Sequence, residues 1–215
     1  MKTFVVKGNL CFSRSMDELV CMEHSYIVVE DGRAAGIFRT LPERYAQLPV
    51  LDYGEQLILP GMTDLHIHAP QFAFRGLGMD MELLEWLNTY TFPEESKYKE
   101  LEYADRAYSS FVEHLLHSTT TRAAIFATIH VPATKLLMQK LDEAGLSCYV
   151  GKVNMNRNSP VYLREISTNQ ALRDTESWLC ETKEAYRNVK PILTPRFIPS
   201  CTDDLMYGLA RLQAK

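Results

Sequence analysis

The chain has no run of eighteen apolar residues, so no segment reads as a membrane-spanning helix. Its first eight residues, Met-Lys-Thr-Phe-Val-Val-Lys-Gly, lack the apolar core of a signal peptide. A basic stripe is also missing. With 23 Lys and Arg against 27 Asp and Glu, the net charge is −4, which argues against nucleic acid as a partner. The five cysteines, Cys11, Cys21, Cys148, Cys180 and Cys201, form no C-x-x-C pair and are odd in number. They read as reduced thiols of a cytosolic protein, each a small buried hydrophobe, and not as a disulfide framework or zinc knuckle. No G-x-G-x-x-G and no G-x-x-x-x-G-K-[ST] follows any strand-like segment, so the fingerprints of nucleotide-binding folds are absent.

What remains is a chain of 215 residues, 46% hydrophobic and 23% charged, the balance of an ordinary globular protein with room for one large domain or two small ones. Residues 1–59 read as β structure. Phe4-Val5-Val6 and Leu10-Cys11-Phe12 are short apolar patches around Gly8-Asn9. Tyr26 to Glu30 and Ala35 to Phe38 flank Asp31-Gly32, a hairpin signal. Leu41-Pro42 to Pro49 is a loop or short helix, and Leu57-Ile58-Leu59 closes the region.

From residue 60 strands and helices alternate. Strands are expected at Met62–His68, Thr121–Ile129, Cys148–Val153 and Val189–Thr194, the last interrupted by Pro191. Helices are expected at Met81–Tyr90, Lys99–His117 with Leu101, Ala104, Tyr108, Phe111 and Leu115 on one face, Val131–Ala144 stopped by Gly145, Ser167–Arg187, and Asp203–Ala214 capped by Thr202. Four β-then-α units in a row imply parallel strands with crossover helices. An open doubly wound sheet and a (β/α) barrel both fit, and both place their sites at the carboxyl ends of the strands.

One stretch carries chemistry: Pro60-Gly61-Met62-Thr63-Asp64-Leu65-His66-Ile67-His68. In a strand alternate side chains share a face, so His66 and His68 point the same way with Cα atoms about 6.7 Å apart. Both imidazoles can then reach one metal ion. A lone histidine in an apolar strand is usually a satisfied core residue; two at period 2 just after a turn are harder to explain in that way.

The Pro-Gly-x-x-Asp-x-His-x-His stretch, a small β region before it and βα units after it resemble the metal-dependent amidohydrolase superfamily. His66-Ile67-His68-Ala69-Pro70-Gln71, Leu84 to Leu87, Tyr90-Thr91-Phe92-Pro93-Glu94, Phe126 to His130, Val150 to Val153 and Thr194-Pro195-Arg196-Phe197 resemble its guanine deaminase branch in particular. The resemblance covers nearly all of residues 57–201. It implies an α/β fold in which residues 60–215 make about four βα units of a (β/α)8 TIM-like barrel and residues 1–59 a small β-sandwich segment. It implies hydrolytic deamination of guanine by water, giving xanthine and ammonia. It implies His66 and His68 as ligands of one Zn2+, with Fe2+ as the alternative, and Gln71 and Arg196 as partners of the purine with Phe197 beside the ring. It also implies a homodimer, in the cytoplasm, with neither nucleic acid nor membrane as a partner. The residue types agree: neutral imidazoles suit Zn2+, Gln71 offers both a donor and an acceptor, and Arg196 a rigid fork of donors.

Other residues are less distinctive. Asp64 shares the face of His66; it could orient that histidine, and the simpler reading is that it caps the barrel bottom through backbone hydrogen bonds. His130 follows the second strand and could approach the pocket or sit in a loop. Trp86 belongs with Leu83, Leu84 and Leu87 in a packing cluster that the resemblance places at the pocket mouth. Glu85, Glu94 and Glu95 read as solvated or capping charges. His24, His114 and His117 read as surface histidines. The resemblance further implies a third and a fourth metal-binding histidine, an aspartate, and a catalytic glutamate just after the third histidine. No histidine follows His130. Eight βα units need about 250 residues, so residues 1–215 are expected to be the amino-terminal half of a longer enzyme, inactive alone, with its catalytic glutamate beyond Lys215. The alternatives are an amidohydrolase for a different aminopurine or a triazine, and a non-catalytic form that acts by pairing with a longer partner. A cytidine-deaminase site is excluded, because H-x-E and P-C-x-x-C are absent.

Overall fold

Strand β1 (Phe4–Ser13) runs through Gly8-Asn9 as one element, with a bulge between Gly8 and Leu10, instead of the two patches expected. A computed structural model describes residues 3–214 and divides into two compact units, Met1–Gly61 and Met62–Lys215. Residues 1, 2 and 215, which the expected domain bounds include, lie outside the described stretch. In the first unit β1 pairs antiparallel with β2 (Leu19–Glu30) and parallel with β4 (Val50–Ile58), and β2 pairs with β3 (Arg33–Phe38), giving the order β3-β2-β1-β4. The hairpin stands where Asp31-Gly32 puts it, because both residues adopt positive φ, 50° and 77°, the backbone that a tight two-residue turn requires. Val5, Leu10 and Val28 are buried, whereas β4 is almost wholly exposed. Among the described residues this unit is a single mixed sheet, so they do not form the second layer of the expected sandwich.

The second unit is built on the parallel sheet β5 (Met62–His68), β6 (Thr120–Phe126), β7 (Ser147–Gly151) and β9 (Val189–Pro191). Strand order follows chain order with no reversal, so the sheet has no switch point of the doubly wound kind. Helices α3 (Leu101–Leu116), α4 (Val131–Glu143) and α5 (Thr168–Thr182) make the crossovers, and α6 (Asp203–Gln213) follows the last strand. The core joins Tyr108, Phe111 and Leu115 of α3 with Leu137 and Leu141 of α4, Ile125 and Val150 of the sheet, and Trp178 of α5. Gly145 (φ 76°) ends α4, Ser167 Oγ accepts from Gln170 N at 3.2 Å at the start of α5, and Thr202 Oγ1 accepts from Leu205 N at 3.4 Å at the start of α6. Helix α5 stops at Thr182, short of the expected Arg187.

Two departures shape the site. Beyond Gly151 and Pro191 the chain forms a second small parallel pair, β8 (Val153–Asn154) with β10 (Thr194–Pro195). Gly151 permits the close approach, since a Cβ there would lie 2.1 Å from Thr194 Cγ2. The helix expected to end at Tyr90 instead continues: α1 (Leu83–Trp86) passes through a π-helical turn at Leu87–Thr91 into α2 (Phe92–Ser96). Pro93 lies in the first turn of α2, where an amide N–H is dispensable, so it does not break the path.

The cysteines need correcting. Cys148 and Cys201 are buried as expected, but Cys21 and Cys180 are exposed and Cys11 is half-buried. Cys11 and Cys21 face each other across β1 and β2 with sulfurs 3.5 Å apart. They lie on the outer part of that ladder, beyond the buried residues. No described helix is long and apolar enough to cross a membrane.

Candidate active site

A cavity of about 610 Å3 opens at the carboxyl end of β5, within the second unit. His66 and His68 line it together, as the strand alternation requires, with ring centroids 5.0 Å apart and planes at 72°. Phe126, paired with His68 in the neighbouring strand β6, stacks on the His68 ring at 4.6 Å and approaches His66 at 4.9 Å. Burial pushes the His68 pKa down to about 3, with Arg196 and His66 adding to the effect, so this ring stays neutral at physiological pH. Its Nδ1 is buried without a hydrogen-bond partner. A neutral imidazole with an unused buried nitrogen suits a metal ligand. The two histidines fit such an ion as part of a ligand set; among the described residues no group of three or more His, Cys, Asp or Glu is placed to hold one.

The wall beside the histidines is polar and buried. Gln71 comes from the 3-10 turn Ala69–Phe74 that follows β5, and Arg196 from the residue after β10. Glu95 of α2 stands between them: its Oε1 accepts from Gln71 Nε2 at 3.4 Å and its Oε2 from Arg196 Nη1 at 2.5 Å. Glu95 is 1% exposed and Arg196 8%. Burial pushes the Glu95 carboxyl up, while the guanidinium and the Gln71 amide pull it back. The Arg196 guanidinium also lies 5.4 Å from the Phe92 ring centroid. The expectation that Glu95 is a solvated or capping charge is therefore wrong. Thr91, Phe92 and Glu95 are all buried, on the turn where the π-helical segment passes into α2, and Glu95 meets the cavity-lining Gln71 and Arg196 from behind. The signal was the spacing of Glu95 from Thr91 and Phe92, within a segment already resembling the guanine deaminases. Glu94 is not a solvated charge either: its side chain is 11% exposed and accepts from Lys97 Nζ at 2.6 Å and from the Tyr103 hydroxyl. Glu85 is exposed.

Trp86 and Phe197 both line the cavity. Trp86 is held by its Nε1, which donates to Leu77 O at 2.9 Å, and by contact with Phe74 at 5.6 Å. Phe197 packs on Leu87, Phe92, Val153, Met155 and Leu163, an apolar layer beneath the site. Asp64 Oδ1 accepts from His66 N at 3.0 Å, a local backbone bond. His130 is not brought to this cavity. It occupies the cap position of α4 and lines a different cavity with Lys99 and Trp178. His24, His114 and His117 are exposed.

A second polar cluster was not anticipated. Lys152, 1% exposed, pairs with Glu165, which also accepts from Asn154 Nδ2 and Met155 N, each at 3.0 Å. It lies at the carboxyl end of β7, under the loop that carries Met155 and Leu163.

The chain is similar to proteins of known activity. A guanine deaminase of Dictyostelium discoideum is 41% identical over 167 residues, 77% of this chain and 37% of that protein. The guanine deaminase of Mus musculus is 40% identical over 158 residues, 73% of this chain and 35% of that protein. A crystal structure of guanine deaminase from C. acetobutylicum with guanine bound in its active site is 45% identical and superposes with a TM-score of 0.94, over 99% of this chain and 51% of that one. The chain thus spans about a third to a half of the length of these relatives. The model of the amidohydrolase family matches residues 57–215, so well over half of the chain is accounted for by it and the chain belongs to that family.

Proposed function

We propose that the protein hydrolyses guanine to xanthine and ammonia, with a zinc ion held in part by His66 and His68 and the purine held by Gln71, Arg196 and Phe197. The observation that carries this reading is the convergence of both imidazoles with Gln71 and Arg196, which Glu95 ties together, on one cavity. The similarity to a structure with bound guanine supports it. The unreversed order of the four parallel strands supports the further reading that they belong to a (β/α)8 barrel. The whole enzyme works as a homodimer in the cytosol.

In the net reaction the oxygen of water joins C2 of guanine, the bond from C2 to the exocyclic nitrogen breaks, and that nitrogen leaves as ammonia with one proton of the water, the other ending on ring N3 of xanthine. His66 and His68 would hold part of a metal's ligand set, and such an ion, when bound, would make hydroxide available at neutral pH. The chain's own residues orient the base. Arg196 keeps donors beyond the one given to Glu95 and offers them to the purine oxygen. Gln71 meets the neighbouring ring nitrogen, and Phe197 lies along the ring face. Phe126 stacks on the His68 ring and packs against that of His66, and the apolar layer at Leu87, Phe92 and Met155 keeps water from the far side of the cavity. The proton shuttle is a carboxylate that the resemblance places after the third histidine.

The test is turnover of guanine by the whole protein, read as loss of guanine and release of ammonia, beside a panel of aminopurines and triazines. Guanine is expected to give the highest kcat/KM. Preference for another base, or metal content unchanged by His66→Ala with His68→Ala, would overturn the reading.

A further inference from the structure

We infer that Glu95 is a positioning residue that fixes the hydrogen-bond polarity of the base subsite, presenting an acceptor from Gln71 and donors from Arg196 and so selecting a lactam edge. The inference rests on the deaminase reading of the same cavity. Gln71 carries an amide whose two ends differ only in oxygen against NH2, and by itself it would serve either a donor or an acceptor on the base. Its neighbour removes that freedom. Glu95 is 1% exposed and its carboxylate touches a guanidinium at 2.5 Å. Arg196 is permanently charged and nearly as buried, so its partner is the ionised carboxylate, which accepts and never donates. Gln71 must therefore turn its NH2 to Glu95, as the 3.4 Å contact from Nε2 shows. Its Oε1, which no described protein group engages, is left for the cavity. The same carboxylate claims one N–H of Arg196 and leaves the others as donors.

The resulting pattern is an acceptor next to donors. It complements an N–H beside a C=O, the N1–C6 edge of a 6-oxopurine. A 6-aminopurine presents a bare N1 beside an NH2, the opposite polarity, and leaves polar groups facing like against like. Glu95 thus sets specificity without touching the base.

The experiment compares the whole wild-type protein with Glu95→Gln and Glu95→Asp. Two readouts are used: kcat/KM for guanine against 2,6-diaminopurine, which share the 2-amino group, and calorimetric Kd for hypoxanthine against adenine, neither of which carries a 2-amino group. In Glu95→Gln residue 95 can donate or accept, Gln71 is free to turn over, and both ratios are expected to fall about tenfold or more. Glu95→Asp keeps the charge and should recover part of each ratio. Ratios unchanged within about twofold, whatever happens to overall activity, would overturn the inference. If Glu95→Gln does not fold, as judged by circular dichroism, Glu95→Asp alone decides, since a carboxylate drawn back by one methylene should still lower both ratios. A wild-type protein that binds hypoxanthine over adenine but does not deaminate guanine would sink the deaminase reading and leave the Kd comparison to test Glu95.

Discussion

Lys152 with Glu165 and Arg196 with Glu95 are both buried ion pairs at the carboxyl ends of the parallel strands, yet they are finished differently. Lys152 Nζ also bonds Val153 O at 3.2 Å, Glu165 takes two further donors, and Asn154 Nδ2 passes on to Thr175 Oγ1 at 2.9 Å. This pair is closed on itself and ties the loop after β8 to helix α5. The Arg196 pair is open. Its Glu95 accepts from two partners, while Arg196 donors and Gln71 Oε1 face a cavity. Burial raises both glutamates and a cation draws each back, so charge and depth do not separate the two pairs. What separates them is where the unused hydrogen-bonding capacity points. A closed pair fixes a loop, and an open one can bind.

The largest effect should come from opening the open pair further. Arg196→Ala leaves Glu95 buried without its counter-charge, which costs about 3–5 kcal/mol of stability, and it also removes the donors offered to the base. Guanine kcat/KM should fall more than about a hundredfold, measured by steady-state turnover with the folded fraction checked by calorimetry. Lys152→Met should cost a similar 3–5 kcal/mol in denaturant unfolding, because Glu165 is then stranded. Its guanine kcat/KM should change by less than about tenfold, since the closed pair offers nothing to the cavity. Equal losses of activity in the two variants would erase the distinction between the pairs. Gln71→Ala sharpens it: a loss of about tenfold or more in guanine turnover with little change in the unfolding midpoint, since Gln71 is only half-buried and Glu95 keeps Arg196. A smaller loss would count against guanine as the substrate.

The open pair also shows how much could be read from residues alone. His66 and His68 were legible because period-2 alternation is local, and the strand begins where Pro60-Gly61 places it. Gln71 and Arg196 were reached through resemblance, since no local pattern links two residues so far apart in the chain. Glu95 was missed for a different reason. The polar run Glu94-Glu95-Ser96 after Pro93 has the look of an exposed helix start, and only the π-helical turn at Leu87–Thr91 rotates Glu95 inward. Lys152 was missed because a lysine ending an apolar strand reads as solvated, and its partner Glu165 lies across an irregular loop. His130 was legible as a strand-end histidine, but the fold aims it away, toward Lys99 and Trp178. Long strongly patterned elements were foreseen; side chains whose meaning depends on a distant partner were not.

The smallest predicted effect reaches from the closed pair to that histidine. His130 Nε2 is buried without a partner, and the His130 pKa is held below the usual imidazole range by burial first, then by Lys99 and Lys152. An imidazole lowered in the folded state takes up its proton in the unfolded chain first. Between about 6.5 and the folded value the unfolded chain therefore holds more protons, and stability must fall as the pH drops through that window. Above 6.5 both states are neutral and the term vanishes. Lys152→Met removes one of the charges that oppose protonation, so the folded value should rise toward 6.5 and the acid-side slope should flatten. His130→Gln should remove this part of the slope altogether. The check is the urea midpoint measured from pH 7.5 down to pH 5 in the three proteins. A slope in Lys152→Met as steep as in the wild type would show that the field of the closed pair ends at Glu165 and does not extend to His130.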